Sequence, residues 1–218
     1  MKTYKVYFIR HGLTAGNLKG QYIGRTDLPV IPEGLEMLRR MKDKYVYPDA
    51  ELFYISPLSR CKQTLDVLYP DADAIVVPGL IEYNFGDFEG KTHDELKDNE
   101  AYRKWVEFND IDAVVPNGES TADFIKRVGT AFNSIVQHMM TEGKTTAVVC
   151  AHGGVISTIL ATYGLPQQPI SRWECLNGKG YCAIINPSIW MHGGMFEVAG
   201  LVPFEKGIDE TDETDEIE

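Results

Sequence analysis

At 218 residues, with 44% hydrophobic and 24% charged residues, the chain has the size and balance of one globular domain with a sizeable core. Its formal net charge of −11 argues against nucleic acid or an anionic membrane as a partner. No uninterrupted apolar run approaches the roughly 18 residues that a membrane span needs.

Lys5 to Ile9 reads as the first strand, an apolar, aromatic run that ends in Arg10-His11-Gly12. A polar, glycine-bearing loop follows from Thr14 to Val30, and Pro32-Glu33-Gly34 opens a helix whose apolar face is Leu35, Leu38 and Met41. Leu52 to Ile55 is a second strand. The helix after it, from about Leu58 to Leu68, carries Arg60 in its first turn, where an arginine is disfavoured unless an anion sits beside it. Ile75 to Val77 is a short third strand, followed by a loop dense in aromatics and carboxylates from Leu80 to Gly90.

Short helical patterns over Thr92–Lys97 and Glu100–Phe108 lead into Pro116-Asn117-Gly118-Glu119-Ser120. Ser120 or Thr121 caps a long helix to about Met140, with Phe124, Val128, Phe132, Ile135 and Met139 facing inward. A second apolar strand, Thr146 to Ala151, ends in His152-Gly153-Gly154 and passes into a helix from about Val155 to Tyr163. Gly180–Asn186 and Met195–Val198 read as closing strands.

This alternation predicts an α/β fold, a three-layer α/β/α sandwich around a largely parallel sheet. Residues 1–206 form one domain in this reading, with an excursion at about 83–118 capping the carboxyl edge of the sheet. The last stretch, 207–218, holds seven acidic residues and no basic one, and reads as a solvated, disordered tail; without it the net charge is −4. Cys61, Cys150, Cys175 and Cys182 make no C-x-x-C pair and no secretory signal opens the chain, which points to reduced thiols and a cytoplasmic setting.

Two strands that each deliver a histidine and then glycine to the carboxyl edge of a sheet mark a site, because ligands gather there in open α/β folds. Arg10 and Arg60 add fixed positive charge to an otherwise acidic protein, and arginine's planar fork matches phosphate oxygens. With Glu82 as a proton donor, the set suits a tetrahedral dianion and phosphoryl transfer, in which a neutral histidine can be the nucleophile. His93, His138 and His192 are isolated, and no cluster has metal-ligand spacing; no metal and no cofactor is expected.

On these residues the chain resembles the histidine phosphatase superfamily, which also contains the cofactor-dependent phosphoglycerate mutases. The resemblance rests on Arg10-His11-Gly12 with Thr14 and Asn17, on Ser56-Pro57-Leu58-Ser59-Arg60-Cys61-Lys62-Gln63-Thr64 as an S-x-L-x-R-x-x-x-T pattern, on Glu82 with Phe85-Gly86 and Phe88-Glu89-Gly90, and on Ala151-His152-Gly153-Gly154. It covers about residues 4 to 200 in the family's order and implies a phosphoglycerate mutase-like fold.

It also implies roles. His11 becomes the phosphohistidine, Arg10, Arg60 and His152 hold the phosphoryl oxygens, and Glu82 protonates the leaving alcohol and then deprotonates water. Asn17 adds a hydrogen bond near the same group, Ile23 and Gly24 meet substrate through backbone groups, and Thr14 and Gly153 complete the binding set. Gly154 stands where the mutases commonly have Asn, the acid loop differs from theirs, and Pro116–Ser120 is close to an element of small phosphatases such as the α-ribazole phosphatases. The expected activity is therefore phosphomonoester hydrolysis on a small phosphorylated metabolite. A phosphoglycerate mutase is the alternative, a non-catalytic phosphate-binding module the second, and a homodimer is left open.

Overall fold

A computed structural model describes residues 2–106 and 111–207. In chain order it begins with β1 (Tyr4–Arg10), α1 (Ala15–Leu18), α2 (Pro32–Lys44), β2 (Tyr45–Val46), β3 (Leu52–Ile55), α3 (Ser59–Leu68) and β4 (Ala74–Val76). After two single 3₁₀ turns come α4 (His93–Leu96), α5 (Glu100–Val106), α6 (Thr121–Glu142), β5 (Thr146–Ala151), α7 (Gly153–Tyr163) and β6 (Gly164–Leu165). A further 3₁₀ turn precedes β7 (Gly180–Ile185), α8 (Pro187–Gly193), β8 (Phe196–Val202) and β9 (Phe204–Glu205).

Seven strands form one sheet in the order β4-β3-β5-β1-β7-β8-β6, while β2 and β9 pair separately. Four of the six pairings in the sheet are parallel; β7 runs against both β1 and β8. Strand period two explains the layers. On β1, Val6 and Phe8 enter a core with Phe132 and Ile135 of α6 and Val155 and Ile159 of α7. Tyr7 and Ile9 enter the opposite core, with Leu38 of α2 and Cys61, Leu65 and Leu68 of α3. A strand buried on both faces needs an apolar run without alternation, and β1 has one. The long helix is capped by Ser120 Oγ, which accepts from Asp123 N, and ends at Gly143 in the left-handed region.

The structure alters some expected bounds. β1 begins at Tyr4, β4 is shifted by one residue to Ala74–Val76, and β8 extends to Val202. Helix α8 and strands β2, β6 and β9 lie where no element was expected; Asn186 with Pro187 at the first helical position was the readable signal for α8. Trp190 and Phe196 meet Phe132 edge to face, with ring centroids 5.6 Å away in each case, so they close a core. Phe108 and the tail at 208–218 lie outside the described residues.

The excursion after Glu82 is an aromatic cluster. Tyr83, Phe88 and Tyr102 are buried in the same core as α6, with Tyr22, Phe85 and Trp105 packed against them. It docks on the loop after α1 through Tyr22 N–H to Lys91 O (2.9 Å) and Gly90 N–H to Tyr22 O (2.8 Å).

Candidate active site

The parallel pairing of β1 and β5 sets Arg10 opposite Ala151, so each strand's histidine leaves the sheet at the same edge. His11 N–H still donates to Ala151 O at 3.0 Å, and the His11 and His152 rings lie 5.2 Å apart. Both are buried. His11 Nδ1 is 2.7 Å from Gly12 O. A carbonyl only accepts, so Nδ1 carries the hydrogen and Nε2 keeps its lone pair. Burial, reinforced by Arg60 and Arg10, lowers the His11 pKa to about 3, and the ring is neutral near pH 7.

The S-x-L-x-R-x-x-x-T pattern acquires a function at each fixed letter. Ser56 Oγ is 2.7 Å from His152 Nε2, and Leu58 is buried. Arg60, 1% exposed, donates from Nε to His152 Nδ1 (3.2 Å), from Nη1 to Thr26 O (2.9 Å) and from Nη2 to Gly24 O (2.8 Å). Thr64 Oγ1 accepts the Gly12 N–H at 2.7 Å and donates to Arg60 O at 2.6 Å, tying the turn after His11 to the arginine's helix. Asp27, which accepts from both Ser59 N and Ser59 Oγ at 2.8 Å, supplies the cap that Leu58 cannot.

Arg10 donates from Nη1 to Cys175 O at 2.7 Å, while its buried Nε has no partner among the described residues. A buried N–H without an acceptor costs about 1–3 kcal/mol, so this is a donor in want of an anion. Gly153, the first residue of α7, lies against the Arg10 guanidinium, and its amide has no partner among the described residues. Helix N-terminus and orphaned guanidinium therefore aim positive charge at one place.

Glu82 completes the site from the far side. Its Oε1 accepts from Tyr83 N at 2.9 Å and its Oε2 from Gly154 N at 3.0 Å. Burial outweighs these bonds and the two arginines, and the carboxyl pKa is raised above 4.5. Two guanidiniums and two neutral imidazoles face a single carboxyl, so the local charge is net positive in either state of Glu82 and complementary to a phosphate dianion.

Other expected binding residues are differently employed. Thr14 Oγ1 is spent in a capping box with Asn17, accepting from Asn17 N at 3.4 Å and donating to Asn17 Oδ1 at 3.0 Å, so its hydroxyl frames the loop. Asn17 Oδ1 also takes Thr14 N (3.0 Å) and Asn177 Nδ2 (3.3 Å), which leaves its NH₂ as the free end. Gly24 gives its N–H to Glu89 Oε1 (2.7 Å) and its carbonyl to Arg60, so neither is available to substrate. The Ile23 amide has no partner among the described residues.

His152 likewise has both ring nitrogens engaged, by Arg60 and Ser56. With Nδ1 accepting from a guanidinium, and with burial, His11 and the arginines lowering its pKa well below 6.5, it is neutral. Asn177, which donates to His11 O at 2.9 Å, carried no chemical signal in the sequence beyond a turn-like Asn-Gly pair. His93, His138 and His192 bond to Tyr102, Tyr54 and Ser188, away from the site. A surface cleft of about 540 Å³ lined by Lys5, Tyr7, Asp49 and Phe204 lies at the opposite, amino end of β1 and gathers none of these groups.

Residues 6–193 match the Histidine phosphatase superfamily (branch 1). The chain belongs to that family. Among its relatives, the adenosylcobalamin/alpha-ribazole phosphatase of Escherichia coli (strain K12) is 31% identical over 182 residues, 80% of this chain and 86% of that protein. A 2,3-bisphosphoglycerate-dependent phosphoglycerate mutase of Bifidobacterium longum is 27% identical over 190 residues, 72% of this chain and 76% of that protein. The crystal structure of the alpha-ribazole phosphatase from Shigella flexneri superimposes with a TM-score of 0.73 at 24% identity, covering 94% of this chain and 99% of that one, and shares the fold. None of the described helices of this histidine phosphatase superfamily member is long and apolar enough to cross a membrane.

Proposed function

We propose that the chain is a metal-independent phosphomonoester hydrolase that acts on a small phosphorylated metabolite through a phosphohistidine at His11. The observation that carries this reading is the neutral His11 ring, with Nδ1 tied to Gly12 O and Nε2 without a partner among the described residues, next in sequence to Arg10 with its unpartnered Nε.

In the first half-reaction the Nε2 lone pair forms an N–P bond as the P–O ester bond breaks, and the leaving oxygen takes the Glu82 proton. Arg10 and Arg60 neutralise the phosphoryl oxygens, with Asn17 NH₂ and the Gly153 amide as further donors. His152 holds Arg60 by its Nε–H and thereby orients the clamp. In the second half-reaction Glu82, now a carboxylate, takes a proton from water as the water oxygen bonds to phosphorus. The N–P bond breaks, its pair returns to Nε2, and inorganic phosphate leaves.

Relatedness to a named phosphatase at 31% identity supports hydrolysis, and Gly154, which lets the Glu82 carboxyl stand beside the helix terminus, supports it further. Four buried free thiols agree with a cytoplasmic setting. The test is hydrolysis of p-nitrophenyl phosphate in excess chelator, with loss of turnover in His11→Ala. Full activity in that variant, phosphate binding without turnover in the wild type, or efficient interconversion of phosphoglycerates with catalytic 2,3-bisphosphoglycerate would each overturn the reading.

A further inference from the structure

The Pro116–Ser120 element contains an acid that the reaction itself does not employ. Glu119, only 11% exposed at its side chain, receives a two-pronged contact from Arg127 of α6: Nη2 to Oε1 at 2.7 Å and Nε to Oε2 at 3.3 Å. The same guanidinium donates from Nη1 to Gly79 O (2.9 Å) and Ile81 O (2.7 Å), and from Nη2 to Glu82 O at 3.4 Å. Glu119 in turn accepts the Asn84 N–H at Oε1 (2.7 Å), gives its backbone N–H to Asn84 O (3.2 Å) and accepts Tyr83 O–H at its carbonyl (2.8 Å). Every residue from Ile81 to Asn84 is thus bonded to one member of this pair, yet neither member touches the Glu82 carboxyl.

We infer that the Arg127–Glu119 pair is the positioning device for the catalytic acid, fixing the main chain on both sides of Glu82 so that its carboxyl meets the leaving oxygen. The inference rests on the phosphatase reading above. One carboxyl oxygen of Glu82 is held by the amide of the next residue, Tyr83, so the direction of the acid follows from the course of the backbone at 82–84. A rotation of that backbone turns the carboxyl away from Gly154 and from the site. Arginine is required because one planar fork must serve three carbonyls and a carboxylate at once; a lysine supplies a point charge with no such spread. Glu119 keeps the guanidinium charge compensated where it is only 23% exposed.

The experiment compares Arg127→Met, Arg127→Lys and Glu119→Gln in the full chain, with and without Glu82→Gln, on p-nitrophenyl phosphate and on an alkyl phosphate. Nitrophenolate leaves without a proton and an alkoxide does not. Loss through the acid therefore appears as a kcat/KM fall of roughly 100-fold on the alkyl ester and under about tenfold on the nitrophenyl ester. Arg127→Lys should recover part of it. In the Glu82→Gln background the additional loss should shrink to below about threefold, because both changes act through one group.

Equal losses on the two esters, or an undiminished further loss in the Glu82→Gln background, would overturn the inference. Glu119→Gln keeps an acceptor for Asn84 N–H and nearly the same shape; its failure to fold would also overturn it, by showing the pair to be architectural. If Glu82→Gln itself costs both esters equally, the phosphatase mechanism falls. If Glu82→Gln discriminates and the Arg127 variants do not, only the positioning role falls.

Discussion

Gly154 presses its Cα against the carboxyl of Glu82. A Cβ at that position would stand 2.6 Å from Oε1, while the Gly154 N–H donates to Oε2 at 3.0 Å. The acid thus borrows both space and a donor from the first turn of α7, which begins directly after His152. Glycine is needed here for close approach.

Gly154→Ala and Gly154→Asn should accordingly displace the Glu82 carboxyl while leaving His11 and Arg10 in place. The expected result is a kcat/KM loss of roughly 100-fold on alkyl phosphates and a much smaller loss on p-nitrophenyl phosphate. Wild-type rates for Gly154→Ala on both esters would show that the contact is slack.

The raised Glu82 pKa sets the pH dependence of the first half-reaction. A general acid must be protonated, so kcat/KM for an alkyl phosphate should fall as pH rises through that pKa, above the ordinary 4.5. With His11 down at about 3, no loss on acidification from 6.5 should come from that ring. Glu82→Gln should abolish the alkaline limb and leave a low, flatter profile. Persistence of the limb in Glu82→Gln would assign it to another group.

Folding stability should carry the same signature. His11 and His152 have folded pKa values depressed below 6.5, so as pH falls from about 6.5 toward 5 the unfolded chain takes up protons on both rings that the folded chain does not. Their contribution is complete above 6.5 and is lost as pH falls. Glu82 acts in the opposite sense: raised in the fold, it holds a proton there that the unfolded chain has released above 4.5. Two rings act against one carboxyl, so stability should rise with pH through this window, less steeply than the histidines alone would give. Denaturant titrations should show stability rising more steeply with pH in Glu82→Gln than in the wild type. An unchanged slope would mean that Glu82 is ionised in the folded protein.

Thr64 offers a test of how the nucleophile is held. Thr64→Val keeps the shape and removes the acceptor of the buried Gly12 N–H, at a cost of about 1–3 kcal/mol. In a chain of this size that is a fall of roughly 3–10 °C in Tm, accompanied by slower phosphorylation of His11. Thr64→Ser should restore both. Equivalence of the Val and Ser variants in calorimetry would remove the hydroxyl from the account.

Much of this was legible because the decisive residues sit at fixed places in strong patterns. Val6 to Ile9 is apolar without alternation, and such a run followed by Arg-His-Gly places its histidine at a sheet edge. Ser56, Arg60 and Thr64 are spaced at i, i+4 and i+8, so one helix and its entry turn serve His152, the anion pocket and Gly12. What escaped was anything that depends on where backbone donors and acceptors point. That Thr14 turns inward to cap α1, that Gly24 surrenders both backbone groups, and that Arg127 spans Gly79 to Glu82 all follow from the directions of backbone N–H and C=O groups, which side-chain letters do not encode. The short pieces β2, β6 and β9 were illegible for another reason: two residues are too few for any period to register.

The hydrogen-bonded register of β1 and β5 has one more consequence. The two histidines ride on adjacent central strands, each flanked on both sides, so separating them requires unzipping the middle of the sheet. Inactivation by heat should therefore coincide with global melting and have no earlier, local onset.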